Sequence, residues 1–336
     1  MKVLLVGNYE PDRQHSMERF YSMLAGGLRE EGIEIEVLKP DALLGAWFKN
    51  KWAGYFDKYV WFRLVLGRAV AARPGWVVHI LDQGNGIWAG WLGGNCVVTC
   101  HDLLAIRAAR GEFRNRRTGW TGRIFQRMIL RGLRKGGRIV CVSDATRRDA
   151  ERLIGPCGMI PNGLEEKWQP MEAPNKAADA GHLLHVGGDT WYKNRPAVER
   201  VFQELRAKYP LSLVTVGPGD NVTDERLREL YATARLLIFP SLEEGFGWPI
   251  IEAQACGCPV VTTSKAPMTE TGGDAAMYCE EGEWSRGAAS VLEMDEARRR
   301  VLVAKGIENA RRFSVKKMAQ AYVEFYKQAW PDRSCI

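Results

Sequence analysis

The chain has 336 residues, 46% hydrophobic and 26% charged, an ordinary soluble composition that is too long for one hydrophobic core and suits two domains. No apolar run reaches the ~20 residues of a spanning helix, and Met1 to Glu10 lacks the long apolar core and cleavage site of a signal peptide. The net charge of +7 is uneven: residues 1–160 hold 25 Lys/Arg against 15 Asp/Glu, and the remainder 22 against 25, so the first half is expected to face something acidic.

These features predict a cytoplasmic protein, with a peripheral position on the inner face of a membrane left open. Eight cysteines (Cys96, Cys100, Cys141, Cys157, Cys256, Cys258, Cys279, Cys335) sit mostly among apolar, strand-like neighbours and read as small buried hydrophobes in a reducing compartment. Cys256-x-Cys258 lacks zinc spacing and a nearby histidine, so no metal site is expected.

In chain order, Lys2 to Val6 is a β-rich run ended by Gly7-Asn8. Glu18 to Glu31 has helical periodicity, with Ser16 a candidate cap, and Ile33 to Leu38 alternates as a strand. Trp47 to Arg73 reads as a helix with eight aromatics and six bases against one acid, Asp57. Its aromatics suit either an anionic membrane surface or packing onto a sheet. Val77 to Leu81, Cys96 to Cys100 and Arg138 to Val142 are further strands. Between the last two, Leu103 to Arg138 carries eleven bases and Glu112 as its sole acid. A loop through Gly119 and a helix from Trp120 to Leu133 are predicted there. That cluster suits an acceptor phosphate, an anionic headgroup or a solvated basic face. Nucleic acid is not expected, because no binding module is present. Strands alternating with helices predict a parallel sheet with ligands at the carboxyl ends of its strands.

Pro170 to Gly181 reads as a polar linker. Beyond it come a strand over His182 to Val186, a helix over Ala197 to Lys208, a strand over Leu211 to Val216 and a helix over Asp224 to Ala234. The stretch around which the chain is organised follows. Arg235 to Phe239 is a buried-type strand, and Pro240 to Trp248 is a loop with two glycines. A helix opens at Pro249 and stops at Gly257. Its N-terminal N–H groups point into the loop and suit a diphosphate. Glu244 before the loop's glycines and Glu252 inside the helix can accept hydrogen bonds from sugar hydroxyls at two depths. Val260 to Thr263 is the next strand, and Ser314 to Trp330 a final helix.

The run Glu244-Gly245-Phe246-Gly247-x-Pro249-x-x-Glu252-Ala253, followed by Gly257-x-Pro259-Val260-Val261, resembles the Glu-x7-Glu motif of the retaining, GT-B type glycosyltransferases of family 4. Val97 to Leu103, ending in His101-Asp102, resembles that family's His-Asp strand. Val142 to Asp149 resembles its strand-to-helix turn near the acceptor side, Pro161-Asn162-Gly163 the end of its first domain, and Lys193-Asn194 its diphosphate-binding pair. Two positions depart from the pattern: the loop after the first strand has Gly7 without a second glycine, and Gly188 stands where an arginine is usual.

The resemblance implies a GT-B α/β fold, two Rossmann-like domains facing across a cleft: an acceptor-side domain over 1–168, a donor domain over 182–313, and a final helix over 314–336 that crosses back to the first. It implies no metal or other cofactor. A nucleotide-diphosphate sugar would be the donor, and a glycan or lipid-linked molecule the acceptor. The catalytic candidates are His101, Lys193 and Glu244. Donor contacts are assigned to Gly7, Gly187, Gly188, Asn194, Arg195 and Gly217. The backbone of Gly245, Phe246, Gly247 and Trp248, the helix at Pro249, and Glu252 complete that set. Asp102, Ser143 and Arg147 fall on the acceptor side. The predicted function is transfer of a hexose-type sugar with retention, in cell-surface polysaccharide or glycolipid assembly. The rivals are a nucleotide-sugar epimerase on the same fold and a non-catalytic protein that binds nucleotide sugars at a membrane surface.

Overall fold

Short apolar runs separated by amphipathic helices form two parallel sheets in the computed structural model, which describes residues 1–48, 50–114, 118–171 and 181–330. The chain divides into two units, residues 1–163 with the final helix Val315–Ala329, and residues 164–314. Most of the expected linker (172–180) and Cys335 lie outside the described residues.

The first unit has strands β1 (Lys2–Val6), β2 (Glu34–Leu38), β3 (Val77–Ile80), β4 (Cys96–Cys100), β5 (Arg138–Cys141) and β6 (Gly158–Met159), in the order β2-β1-β3-β4-β5-β6. The chain leaves β1 in one direction and returns to its other side at β3. That reversal opens a crevice at the carboxyl ends of β1 and β3. Both faces of the sheet are covered, so its central strands are apolar throughout. On one face Leu4, Val6, Val78, Ile80 and Val98 pack with Phe62, Leu66, Trp88, Ile129 and Leu133. On the other, the helices His15–Glu30 and Val315–Ala329 cross where a Cβ on Gly27 would stand 2.8 Å from Ala319 Cβ.

A buried polar chain ties the final helix to the sheet. His79 Nδ1 lies 2.6 Å from Tyr326 Oη, His79 Nε2 lies 2.8 Å from Thr99 Oγ1, and Thr99 Oγ1 lies 2.8 Å from Tyr322 Oη. Tyr322 and Tyr326 are one helical turn apart and fully buried, so one face of the helix supplies both partners.

Three local expectations are corrected. Ser16 does not cap the first helix, which already starts at His15; Gln14 holds the cap position without a side-chain bond. The aromatic-basic stretch is not a single helix: Leu44–Phe48 stands apart from a continuous helical run made of Lys51–Phe56, a π-helical turn Asp57–Trp61 and Phe62–Ala71. The cause is Asp57. Fully buried, its carboxylate accepts from Tyr9 Oη at 2.8 Å, Leu44 N at 3.0 Å and Gly45 N at 2.9 Å, which folds the first short helix back. The expected loop after Leu103 contains a helix, Leu104–Ala109, while residues 115–117 lie outside the description. The helix beyond it runs Trp120–Lys135.

The second unit has β7 (Gly181–Val186), β8 (Leu211–Val216), β9 (Ala234–Phe239), β10 (Val260–Thr263) and β11 (Met277–Cys279), in the order β11-β10-β9-β7-β8. Its reversal falls between β7 and β9, which share the sheet's centre and position the glutamate loop. The seven described cysteines are free, and all but half-buried Cys157 are buried.

Candidate functional site

In the second unit, the loop after β7 runs through Gly187 and Gly188 into a short 3-10 turn, Trp191–Lys193, and the helix Arg195–Arg206. The loop after β9 is Pro240 to Gly247. The two loops are laced together: Leu242 N donates to Tyr192 O at 2.7 Å, and Asn194 Nδ2 donates to Pro240 O at 3.3 Å. Asn194 takes the left-handed conformation, φ 55°, which asparagine tolerates better than most residues. The result is an ion pair across the crevice, Lys193 Nζ to Glu244 Oε1 at 2.6 Å, with side chains only 16% and 10% exposed. Lys193 Nζ also lies 4.9 Å from the centre of the Phe239 ring.

The glutamate loop is held from behind by hydroxyls. Thr262 donates to Phe239 O at 2.8 Å, Thr263 to Ser241 O at 2.8 Å, and Thr271 to Phe246 O at 2.7 Å. Phe246 is buried, edge-on to Phe313. Gly247 has φ 102°, where a side chain would be strained, and turns the backbone into the helix Trp248–Ala255. Pro249 is therefore that helix's second residue, not its first. Glu252 is 3% exposed, and its Oε2 accepts from Tyr231 Oη at 2.9 Å. Burial, and then the Glu252 charge, hold Tyr231 well above its ordinary pKa, so it stays a donor.

The neighbouring glycines have separate jobs. Gly187 continues the sheet, N to Val216 O at 2.8 Å, and a Cβ there would lie 3.2 Å from both His185 Nε2 and Lys193 Cδ. Gly188 faces Pro218, and Gly217 N donates to Asp220 Oδ2 at 2.7 Å. Arg195 lies along its own helix, 3.4 Å from Glu199 and 42% exposed.

In the first unit, Gly7 N donates to Leu38 O at 2.9 Å and extends β1. His101 follows β4, is 7% exposed, and packs edge-on against Phe20 with ring centres 4.7 Å apart. Its Nε2 donates to Leu81 O at 2.9 Å, which makes Nδ1 the acceptor of the neutral ring. Burial lowers its pKa against the opposing pull of Asp82, so the ring is neutral near pH 7. Asp102 Oδ1 accepts from Leu104 N at 2.9 Å and shapes the loop. Ser143 caps the helix Asp144–Leu153 through Thr146 N at 3.1 Å. Arg147 is engaged by Asp144 and Glu151, both at 2.6 Å.

Family models match both parts of the chain. "Glycosyl transferases group 1" covers residues 171–294, and "Glycosyltransferase Family 4" covers 17–168. The O-antigen chain mannosyltransferase B of Escherichia coli is 30% identical over 271 residues, 69% of this chain and 70% of that protein. The chain belongs to glycosyltransferase family 4. Among solved structures, sucrose-phosphate synthase from Thermosynechococcus elongatus aligns with a TM-score of 0.72 over 98% of this chain and 99% of that one, at 17% identity. Anabaena HepE, solved with UDP-glucose, aligns with a TM-score of 0.66 over 98% and 100%, at 14% identity. These likenesses establish the GT-B fold of the glycosyltransferase.

Within this family 4 enzyme, Lys193 and Glu244 meet in the second unit, Gly187 lies against Lys193, Asn194 is tied to Pro240 and Gly188 faces Pro218, while Arg195 lies along its own helix. Sequence reasoning missed a second polar group in the first unit, formed by Asn8, Asp82, Gln83 and Asn85. Gln83 Oε1 accepts from His101 N at 2.7 Å and so helps to place that histidine. The signal available in the sequence was the polar run Asp82-Gln83-Gly84-Asn85 directly after a strand.

Proposed function

We propose that the enzyme is a retaining hexosyltransferase. It moves a sugar from a nucleotide-diphosphate donor to a hydroxyl of a glycan or lipid-linked acceptor, in assembly of a cell-surface polysaccharide or glycolipid. The carrying observation is the Lys193–Glu244 pair at the carboxyl ends of β7 and β9. One Nζ proton meets Glu244, and the ammonium has two more for phosphate oxygens. As the bond from the sugar's anomeric carbon to the phosphate oxygen breaks, negative charge grows on the diphosphate. Lys193 and the N-terminal N–H groups of the helix Trp248–Ala255 take it up without a metal. The acceptor oxygen bonds the anomeric carbon from the same face, and its proton passes to the departing phosphate. Glu244 and the amides of Gly245 to Trp248 hold the sugar, Glu252 is assigned to the ribose, and His101 is the first unit's assigned contact to the sugar.

Relatives named as mannosyltransferases make a mannosyl donor the first to try. Incubation with GDP-mannose, UDP-glucose and UDP-galactose, with and without EDTA, is expected to give transfer or slow donor hydrolysis with one of them, chelator-insensitive and with the donor's anomeric configuration kept by NMR. An inverted product, or activity abolished by EDTA and restored by a divalent cation, overturns the mechanism.

A peripheral membrane position is supported by a separate observation. Among the described residues, twelve of the fourteen exposed large apolar side chains fall in Leu43 to Leu64 and Trp120 to Met128, including Trp47 at 86% and Trp120 at 74% exposure. Lys51, Arg63, Arg123 and Arg127 lie in the same two stretches. Exposed indoles beside bases suit the headgroup layer of an anionic bilayer. No described helix is long and apolar enough to cross a membrane.

A further inference from the structure

The first unit contains a cavity of about 240 Å3 at the carboxyl ends of β1, β3 and β4. Three strand-end loops supply its polar lining. Asn85 Nδ2 donates to Asn8 Oδ1 at 2.8 Å, Asn8 Nδ2 to Asp82 Oδ2 at 2.7 Å, and Gly84 N to Asp82 Oδ1 at 2.6 Å. Asn8, Asp82 and Asn85 are each more than nine-tenths buried, so the array is fixed in place. An aromatic lining comes from elsewhere: Tyr55 stacks on Phe125 with ring centres 5.6 Å apart and planes at 30°, and Tyr59 meets Phe125 edge-on at 5.6 Å.

The charges are unequal. Asp12, Asp82 and Asp102 line the cavity against Lys58. Lys58 Nζ is bound to Asp12 Oδ2 at 2.8 Å, and lies 5.5, 5.3 and 5.8 Å from the ring centres of Tyr9, Tyr55 and Tyr59. Among the described lining residues, a phosphate there would meet three carboxylates and one cation, Lys58, already bound to Asp12. Two arginines of the neighbouring basic stretch, Arg107 and Arg110, are engaged by Glu112 at 3.2 and 3.3 Å. A sugar ring meets no such penalty. Its hydroxyls donate to carboxylate and amide oxygens, and its C–H face lies against aromatic rings. The volume is below the roughly 300–1,000 Å3 of sites for drug-sized ligands, the size class of one pyranose.

We propose that this cavity holds the terminal, uncharged sugar ring of the acceptor and that its net negative charge rejects acceptor ends bearing phosphate. The proposal rests on the glycosyltransferase reading and names the acceptor's chemistry. Asp82 is its hydroxyl acceptor, Tyr55 its stacking face, and the Asp12–Lys58 pair its charge filter.

The test is saturation-transfer NMR on the full chain, with the methyl α-pyranosides of mannose, glucose and galactose and with their 6-phosphates. At least one methyl glycoside is expected to take up saturation, with its 6-phosphate at least tenfold weaker. Asp82→Asn and, as a second variant outside the buried array, Tyr55→Ala are each expected to cut the glycoside signal fivefold or more. A 6-phosphate that binds as well as its parent overturns the proposal, as does a glycoside signal unchanged in both variants. Thermal shifts with GDP and UDP on the same samples separate the two readings. A nucleoside diphosphate that stabilises the fold while no glycoside binds sinks the cavity proposal alone; failure of every nucleotide sinks the donor reading.

Discussion

Lys193 and Glu244 touch at 2.6 Å although 51 residues separate them. A parallel sheet that reverses between β7 and β9 puts the ends of those strands side by side, so a cation from one loop and a carboxylate from the other share a crevice. Lys193→Ala and Glu244→Ala are each expected to lower turnover by about 10²-fold or more, the cost of a lost transition-state stabiliser. Because each holds the other, the double variant should lose far less than the product of the two. Near-wild-type rates in a direct transfer assay, or strictly multiplicative losses, would remove these roles.

Gly187 gives a sharper version of the same point. Alanine there would press on His185 Nε2 and Lys193 Cδ, each 3.2 Å from the new Cβ. Gly187→Ala should weaken nucleoside diphosphate binding roughly tenfold by displacing the lysine. Gly26→Ala is the control, since nothing lies within 4 Å of its Cβ on a helix; it should leave binding alone and raise stability by about 0.5–1 kcal/mol. Equal nucleotide affinity for Gly187→Ala and wild type, by titration calorimetry, would show that the lysine is not so confined.

The proposed membrane contact has its own readout. Trp47, Trp52 and Trp120 are exposed by 86%, 67% and 74%. Their joint replacement by serine should abolish co-flotation with vesicles containing phosphatidylglycerol. Salt should weaken flotation of the wild type, because the basic contribution is screened. Flotation that survives both changes rules out this surface.

Acid sensitivity should arise beneath the first sheet. Burial, aided by the nearby His101, drives the His79 pKa from 6.5 down to about 3. Its ring nitrogens face Tyr326 and Thr99. At pH above 6.5 the ring is neutral in both states and costs nothing. As pH falls from 6.5 toward 3, the unfolded chain takes a proton that the folded one refuses. Stability then falls by up to about 1.4 kcal/mol per pH unit. Urea midpoints at pH 7.5, 6.0 and 5.0 should drop steadily for the wild type, and less steeply for His79→Gln. Tyr326→Phe, which strands the His79 nitrogen, should cost about 1–3 kcal/mol at pH 7.5. Parallel pH slopes for wild type and His79→Gln would place the acid sensitivity elsewhere.

What the sequence disclosed was chiefly what is local. The glycine-rich loop with its flanking glutamates spans one strand-loop-helix, and the glycines, proline and apolar periods that make it are contiguous. Lys193 was legible for the same reason, by its distance from a strand end. The Asp82–Asn85 array was not, because its partner Asn8 lies more than seventy residues away, and no period or spacing links the two. Nor was the role of Asp57 legible: one acid in a basic run carries no signal of burial, yet it is fully buried and bonds Tyr9, Leu44 and Gly45. The path of Arg195 was not legible either: in the first turn of its helix it extends along the surface toward Glu199.

The second unit enters and leaves its host at one point. Leu164 and Ser314 form a parallel bridge, Leu164 N donates to Phe313 O at 2.6 Å, and Gly163 lies against Val315. Residues 164–314 are therefore a cassette with adjoining ends, inserted in a unit that is sewn shut by Tyr322 and Tyr326. Two cuts at this shared doorway would let a relative's corresponding unit be exchanged while the host keeps both of its own segments. A truncation that removes the last helix would instead unroof the host sheet and leave His79 without its tyrosine.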